Sequence, residues 1–335
     1  MKPEFFSRVL GVGALSLGLV SGAAQAADPP KELRVDWATY NQLSIVLKKF
    51  GWLEEEFKQD NVPIKWVQSA GSNRALEYLN SGSVDFGSTA GLAAVLSKAN
   101  GNPIEGVYIY ARPEWTSLVV ARNSPINSLK DLKGRKIAAT KGTDPFLFLL
   151  RALNTVGLTK NDVQIVHLQH ADGRVALEKG DVDAWAGLDP HTAASQLQAG
   201  SRLIYRNVNF NTYGFLNTPT AFASQHPQVV ERVIGRYEQA RKWAISHPEQ
   251  LAQLISEEAR IPLDVAKLQL SRVDFTSPVP GPEHVKALKE AGAILVEEEL
   301  VKPGTDVNQV IDALVVSKFA ASQYRQEEPA KAATK

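Results

Sequence analysis

The chain contains no cysteine. That excludes a disulfide framework, cysteine-ligated metals and thiol nucleophiles, so the fold must be held by its core alone. Charge of one sign is also lacking: 37 Lys and Arg stand against 36 Asp and Glu, a net charge of +1. Nothing here argues for nucleic acid or an anionic membrane surface as a partner. The chain beyond the N-terminal segment has no phosphate loop, dinucleotide fingerprint, HExxH pair or Gly-x-Ser-x-Gly elbow. His167 and His170 fall on a strand and its following loop, without the companions a metal site needs. No catalytic residue, metal or cofactor is therefore expected, and the chain reads as a binding protein rather than an enzyme.

What is present begins with a secretory pattern. Lys2 and Arg8 precede an apolar run from Val9 to Val20, and Ala24-Gln25-Ala26 supplies a small-x-small cleavage site. The run is shorter than the ~20 apolar residues of a membrane helix. Residues 1–26 are expected to be a cleaved signal peptide. With no cysteine at the cleavage site to carry a lipid, the mature chain should diffuse freely in a periplasm.

Past that point strands and helices alternate, which implies βαβ units and a mostly parallel sheet. Two series are visible. The first runs from "LRVDWA" to "IEGVYIYA", and the second runs from "SLVVAR" to "RLIYRN". After Pro227 the pattern turns almost wholly helical. The stretches "LNSGSVDFG" and "LEKGDVDAW" echo each other: a helix ending in Leu, a Gly cap (Gly82, Gly180), then Val-Asp opening a strand. One such unit per series implies two similar α/β lobes, with a ligand cleft between them at the carboxyl ends of the strands.

Five corners follow strands: Tyr40-Asn41-Gln42, Gly71-Ser72, Thr89-Ala90-Gly91, Gly142-Thr143-Asp144 and Asp189-Pro190. The fourth reads as a helix start with Asp144 as N-cap and Pro145 at the first helical position. Helix starts leave amide hydrogens unpaired and carry partial positive charge, so they favour anions. Any single corner is explained by ordinary capping; five together point to a cleft.

These residues carry a resemblance. "LNSGSVDFGSTAG", "SPINSLKDLKGRKIAATKG", the segment from "FLLRAL" to "DVDAWAGLDP", and "TYGFLNT" resemble the aliphatic sulfonate-binding proteins of bacterial ABC importers, over nearly the whole mature chain. Relatives in that superfamily bind taurine, nitrate, sulfate esters or thiamine precursors. The resemblance implies an α/β periplasmic-binding-protein type II fold, two lobes on a hinge. Lobe 1 would comprise 27–116 plus 217–320 and lobe 2 would comprise 117–216, with hinge motion near Ser117 and Leu216 and a flexible tail over 321–335. It further implies a small organosulfur anion as ligand, an inner-membrane permease as partner, and a monomer.

Carried over by position, the ligand-binding set is Tyr40, Gln42, Gly71, Ser72, Thr89, Ala90, Gly91, Trp115, Gly142, Thr143, Asp144, Trp185, Asp189 and Tyr213. Trp185 serves equally as core filling, Tyr213 as hinge packing and Asp189 as an N-cap. Asp144 departs from the family's small neutral residue and sets a negative charge beside an anion site. It either turns away or receives a cationic or hydroxyl end of the ligand. His191, where the family often has an aromatic, alters the same wall. Two other readings stay open: an enzyme resembling thiamine-pyrimidine synthases, and a ligand sensor.

Overall fold

The computed structural model describes residues 29–324; the expected signal segment, 1–26, and residues 325–335 lie outside them. The first series is β1 (Leu33–Trp37), α1 (Gln42–Phe50), α2 (Trp52–Phe57), β2 (Ile64–Gln68), α3 (Ser72–Asn80), β3 (Gly87–Ala90), α4 (Gly91–Ala99) and β4 (Ile104–Pro113). The second is β5 (Thr116–Val120), β6 (Lys136–Ala139), α5 (Asp144–Asn154), β7 (Gln164–His167), α6 (His170–Lys179), β8 (Ala184–Leu188), α7 (His191–Ala194) and β9 (Arg202–Tyr205). The chain then returns as β10 (Gly214–Pro219), α8 (Thr220–Gln225), α9 (Pro227–Ser246), α10 (Pro248–Ala259), α11 (Leu263–Leu270), β11 (Val273–Asp274), α12 (Pro282–Glu297) and α13 (Val307–Leu314).

The strands sort into two bodies. In lobe 1, β1 pairs with β2, the bridge Val35–Phe86 links β1 to the segment before β3, and β11-β4-β10-β3 continue the layer. Lobe 2 is a five-stranded sheet in the order β7-β6-β8-β5-β9. Neither is the mostly parallel sheet expected from alternation. β10 runs antiparallel to β3 and β4, and β5 runs antiparallel to β8 and β9. The reason is topological: β5 and β10 each arrive from the other lobe, enter at the edge where that lobe's own strands end, and so must run against them.

The crossings lie at Glu114–Trp115 and at Asn211–Tyr213, since β5 starts at Thr116 and β10 at Gly214. Ser117 and Leu216, near which hinge motion is expected, lie just past these crossings inside β5 and β10, and the expected lobe boundaries at 116/117 and 216/217 fall within those strands. Of the expected flexible tail, 321–335, only 321–324 lie among the described residues. Residues 318–324 are helical, and Tyr324 donates its hydroxyl to Glu238 Oε2 at 2.7 Å.

The echoed motif does the same structural work twice. Asp85 accepts the Arg34 amide at 2.8 Å, and Asp183 accepts the Lys136 amide at 2.8 Å. Each carboxylate thus fastens the loop after a helix to the first residues of a parallel strand, β1 or β6. The strands themselves open later than Val-Asp, at Gly87 and Ala184.

One helix shows why the lobes touch. In α5 every residue from Asp144 to Leu150 is buried. A helix that is apolar nearly all round is one covered on all sides, and α5 lies against β5 and β8 of its own lobe and α4 and α12 of the other. No helix among the described residues is long and apolar enough to cross a membrane.

Candidate functional site

Two small chambers lie between the lobes. The inner one is lined by Tyr40, Ser72, Ala90, Trp115, Thr143, Asp144, Pro145, His170 and Leu188. The adjoining one, too tight for a water molecule, shares Tyr40 and Trp115 and adds Gln42, Asp189, Gln269 and Arg272. Their common wall is the pair Tyr40 and Trp115, edge to face at 6.1 Å. The inner chamber has room for about one water molecule.

Two of the five expected corners leave open helix starts here. No side chain caps α3, which follows Gly71, or α5, which follows Thr143. The other three are closed. Asn41 Oδ1 accepts the Ser44 amide at α1, and Asp189 Oδ1 accepts the Ala193 amide at α7. At α4 the Gly91 amide donates to the carbonyls of Thr212 and Tyr213, and the Leu92 amide donates to Thr212 Oγ1. The returning crossing therefore takes the donors expected from Thr89-Ala90-Gly91. Ala90 gives its own amide to Ser72 Oγ at 3.0 Å, and Thr89 Oγ1 accepts from Asn217 Nδ2 while its hydroxyl donates to the Ala90 carbonyl. A sixth start, α6, is uncapped and opens with His170 on the inner chamber. Its strand-to-helix stretch "VHLQHADG" has the same form as the other corners, so the signal was present in the sequence.

The remaining expected residues divide. Gln42 lines the second chamber, and Gly71 is pressed against His170. A Cβ on Gly71 would lie 2.9 Å from His170 Nε2, so the lobes meet there without room for a methyl. Gly142 lies outside, on a surface groove with Asn73 and Lys141. Thr143 donates to the Thr140 carbonyl at 2.6 Å. Trp185 is not at the cavity: it is fully buried against Val119, Ala138, Ala176 and Leu177, because β8 is a central strand and Gly173 of α6 opens a slot for the indole. Tyr213 also faces away, its ring 4.5 Å from that of His284. His167 turns towards Phe146 and the Ala139 carbonyl, so it does not converge with His170.

Asp144 is not an N-cap. It is the first residue of α5, and its carboxylate turns from the helix start to the crossings. Oδ2 accepts from Trp115 Nε1 at 2.9 Å and from the Thr212 amide at 3.1 Å, and Oδ1 accepts from the Thr212 hydroxyl at 2.7 Å. Burial raises its pKa, and those bonds oppose the rise. One carboxylate thereby ties lobe 2 to both crossings, and through Thr212 to the start of α4.

Asp189 does more than cap. Arg272, from lobe 1, places Nη1 3.1 and 3.0 Å from its two oxygens and Nη2 against Gln196. Both side chains are nearly sealed from solvent, and burial lifts Asp189 to about 6 although Arg272 works against it. Arg272 and Gln269 carry no local sequence signal; they reach the site from the helical region far along the chain.

His170 sits 1 % exposed. Thr140 spends its only hydroxyl hydrogen on the Leu168 carbonyl at 2.7 Å, so the 3.1 Å contact with His170 Nδ1 requires that nitrogen to donate. Nε2 is then a bare acceptor, and it has no partner. Burial, with His191 adding, pushes His170 down to about 3. His191 falls to about 4 through burial and then Arg174. Because the folded pKa of His170 lies below the unfolded value, its contribution is fully present above ~6.5 and is lost as pH falls towards 3. Replacing His170 with Asn, which keeps a donor for Thr140, should therefore raise stability relative to wild type by about 1.4 kcal/mol per pH unit between pH 6 and 4. Urea denaturation at stepped pH reads this, and a flat difference would show that the imidazole is not held neutral.

The chain matches a family model described as NMT1/THI5 like over residues 50–251. It is 31 % identical to a protein of Escherichia coli (strain K12) named as an aliphatic sulfonates-binding protein, across 89 % of this chain and 93 % of that one. Among solved structures it resembles the alkanesulfonate-binding protein SsuA of Xanthomonas axonopodis pv. citri bound to MOPS, with TM-score 0.78, 26 % identity, and coverage of 84 % of this chain and 98 % of the other. The periplasmic aliphatic sulphonate binding protein SsuA of Escherichia coli aligns with TM-score 0.74 and 29 % identity over 86 % and 92 % of the two chains.

Proposed function

The chain belongs to the NMT1/THI5-like family, and on that premise we propose that it is the periplasmic solute-binding protein of an ABC importer. It captures a small organosulfur anion, a sulfonate or sulfate ester, between its lobes and hands it to the permease. One observation carries this reading: the uncapped starts of α3, α5 and α6, one from lobe 1 and two from lobe 2, meet at a single interlobe chamber. Backbone amides and the Ser72 hydroxyl hold an ionised sulfonate without a buried salt bridge, because a helix start presents both hydrogen-bond donors and positive potential. The chamber is smaller than such a ligand, so loading requires the lobes to part at the two crossings. Contact with starts on both lobes then favours closure, since the ligand binds the closed form more tightly than the open one.

A thermal-shift panel of alkanesulfonates, alkyl sulfates, inorganic sulfate and nitrate tests it. An organosulfur ligand at 100 times its Kd should add about 2.7 kcal/mol of stability. Shifts with nitrate or inorganic sulfate alone, and none with any organosulfur compound, would remove the proposal.

A further inference from the structure

No side chain of the two chambers draws an anion in from a distance. Asp144 is the one charged side chain lining the inner chamber, and its three neighbouring groups all donate to it, which keeps it a carboxylate. In the second chamber Asp189 and Arg272 cancel. The open helix starts favour an anion, but their pull falls off within the first turn. A sulfonate is therefore held well once inside and repelled on approach.

Outside, the seam between the lobes carries a roomier space. A groove of ≈ 590 Å³ lies between α3 and α4 of lobe 1 and Lys141-Gly142 of lobe 2, within the range of small-ligand sites, ~300–1,000 Å³. Ser72 and Thr143 line the inner chamber, while Asn73 and Gly142, the residues beside them in the chain, line the groove. One residue of each lobe thus separates the two spaces. A Cβ on Gly142 would sit 3.7 Å from Asn73 Cβ, so the lobes touch there without interlocking. Two charged side chains line the groove. Glu77 is paired with Arg74 at 2.6 Å, whereas the exposed Lys141 has no ion pair among the described residues.

We propose that this groove is the entry vestibule of the cleft and that Lys141 is its encounter residue. Lys141 draws the anion to the groove, and the ligand passes between Asn73 and Gly142 as the lobes part. The ligand then leaves Lys141 for the helix starts, so Lys141 speeds arrival and adds little to the closed complex. The proposal rests on the sulfonate reading, since an uncharged ligand would feel no such pull.

Stopped-flow tryptophan fluorescence of the purified protein follows butane-1-sulfonate and butyl sulfate, with Trp115 in the chamber wall as reporter. At about 10 mM salt, where charges act over ~30 Å, Lys141→Gln should lower the association rate constant about threefold and Lys141→Glu about tenfold. The dissociation rate constant should stay within about 1.5-fold of wild type. Lys141→Arg should keep the wild-type rates. Glu77→Gln, which frees Arg74, should speed association. At about 1 M salt, where the Debye length is ~3 Å, all these variants should converge. Lys130→Gln, which removes an exposed lysine of the same lobe that lines neither chamber nor the groove, should change nothing. An unchanged association rate in Lys141→Gln, a loss carried by dissociation or persisting at high salt, or an equal loss in Lys130→Gln overturns the inference and leaves the sulfonate reading standing. Binding of neither probe sinks both.

Discussion

Arg272→Ala is expected to lower the unfolding free energy by about 3–5 kcal/mol, the loss seen when one partner of a buried ion pair is removed. The guanidinium is 8 % exposed and the Asp189 carboxylate 2 %. With Arg272 gone, Asp189 keeps only the Ala193 amide and becomes an uncompensated charge between the lobes. Its pKa, already lifted to about 6 by burial, should rise further, and the protein should regain stability on acidification. In wild type the sign is the same but the effect smaller: a folded pKa above the unfolded value gives stability that is fully present below ~3.8 and is lost as pH rises through about 6. A second substitution, Asp189→Asn in the Arg272→Ala background, removes the stranded charge and should recover more than half the loss. Urea denaturation measures both. A single-variant loss below about 1 kcal/mol would mean that the pair is worth no more than a surface contact.

Gly91→Val is expected to cost about 3 kcal/mol or more. A Cβ at this position would lie 2.4 Å from the Thr212 carbonyl oxygen, 2.7 Å from Phe215 and 2.9 Å from Leu288. The nearest obstacle is backbone, and it cannot give way, because the Thr212 amide is bound to Asp144 and its hydroxyl bridges Asp144 and the Leu92 amide. Overpacking of this kind costs ~1–3 kcal/mol, and displacing the crossing also breaks the Gly91 amide bonds, worth ~1 kcal/mol more. Since these contacts join α4 of lobe 1 to the returning crossing, ligand affinity should fall with stability. Equilibrium denaturation and titration with the preferred sulfonate test the two effects separately. A stable Gly91→Val protein with normal affinity would refute the close approach.

Both predictions rest on contacts made between residues far apart in the chain, and that separates what the sequence showed from what it hid. The alternation of strands and helices, the two lobes and the echoed Leu-to-Asp motif were legible, because each depends on periodicity and turn chemistry within a dozen residues. So were Ser72, Thr143 and Gln42 as residues near the chambers, since helix starts after strands are locally encoded. The reversed strands β5 and β10 were not legible: a strand's direction depends on which edge the chain enters from. The fate of the amides at Ala90, Gly91 and Leu92 was hidden as well, because Ser72 and Thr212 take them.

The amino-acid order alone determined that this is an α/β chain with repeated helix starts, no thiol chemistry and almost no net charge. Only the tertiary structure decided which starts stay open, that Asp144 faces the crossings, that Arg272 finds Asp189, and that His170 presents a bare nitrogen. Local sequence specifies which hydrogen-bonding groups a segment owns. Whether those groups are already spent depends on partners that folding brings from elsewhere.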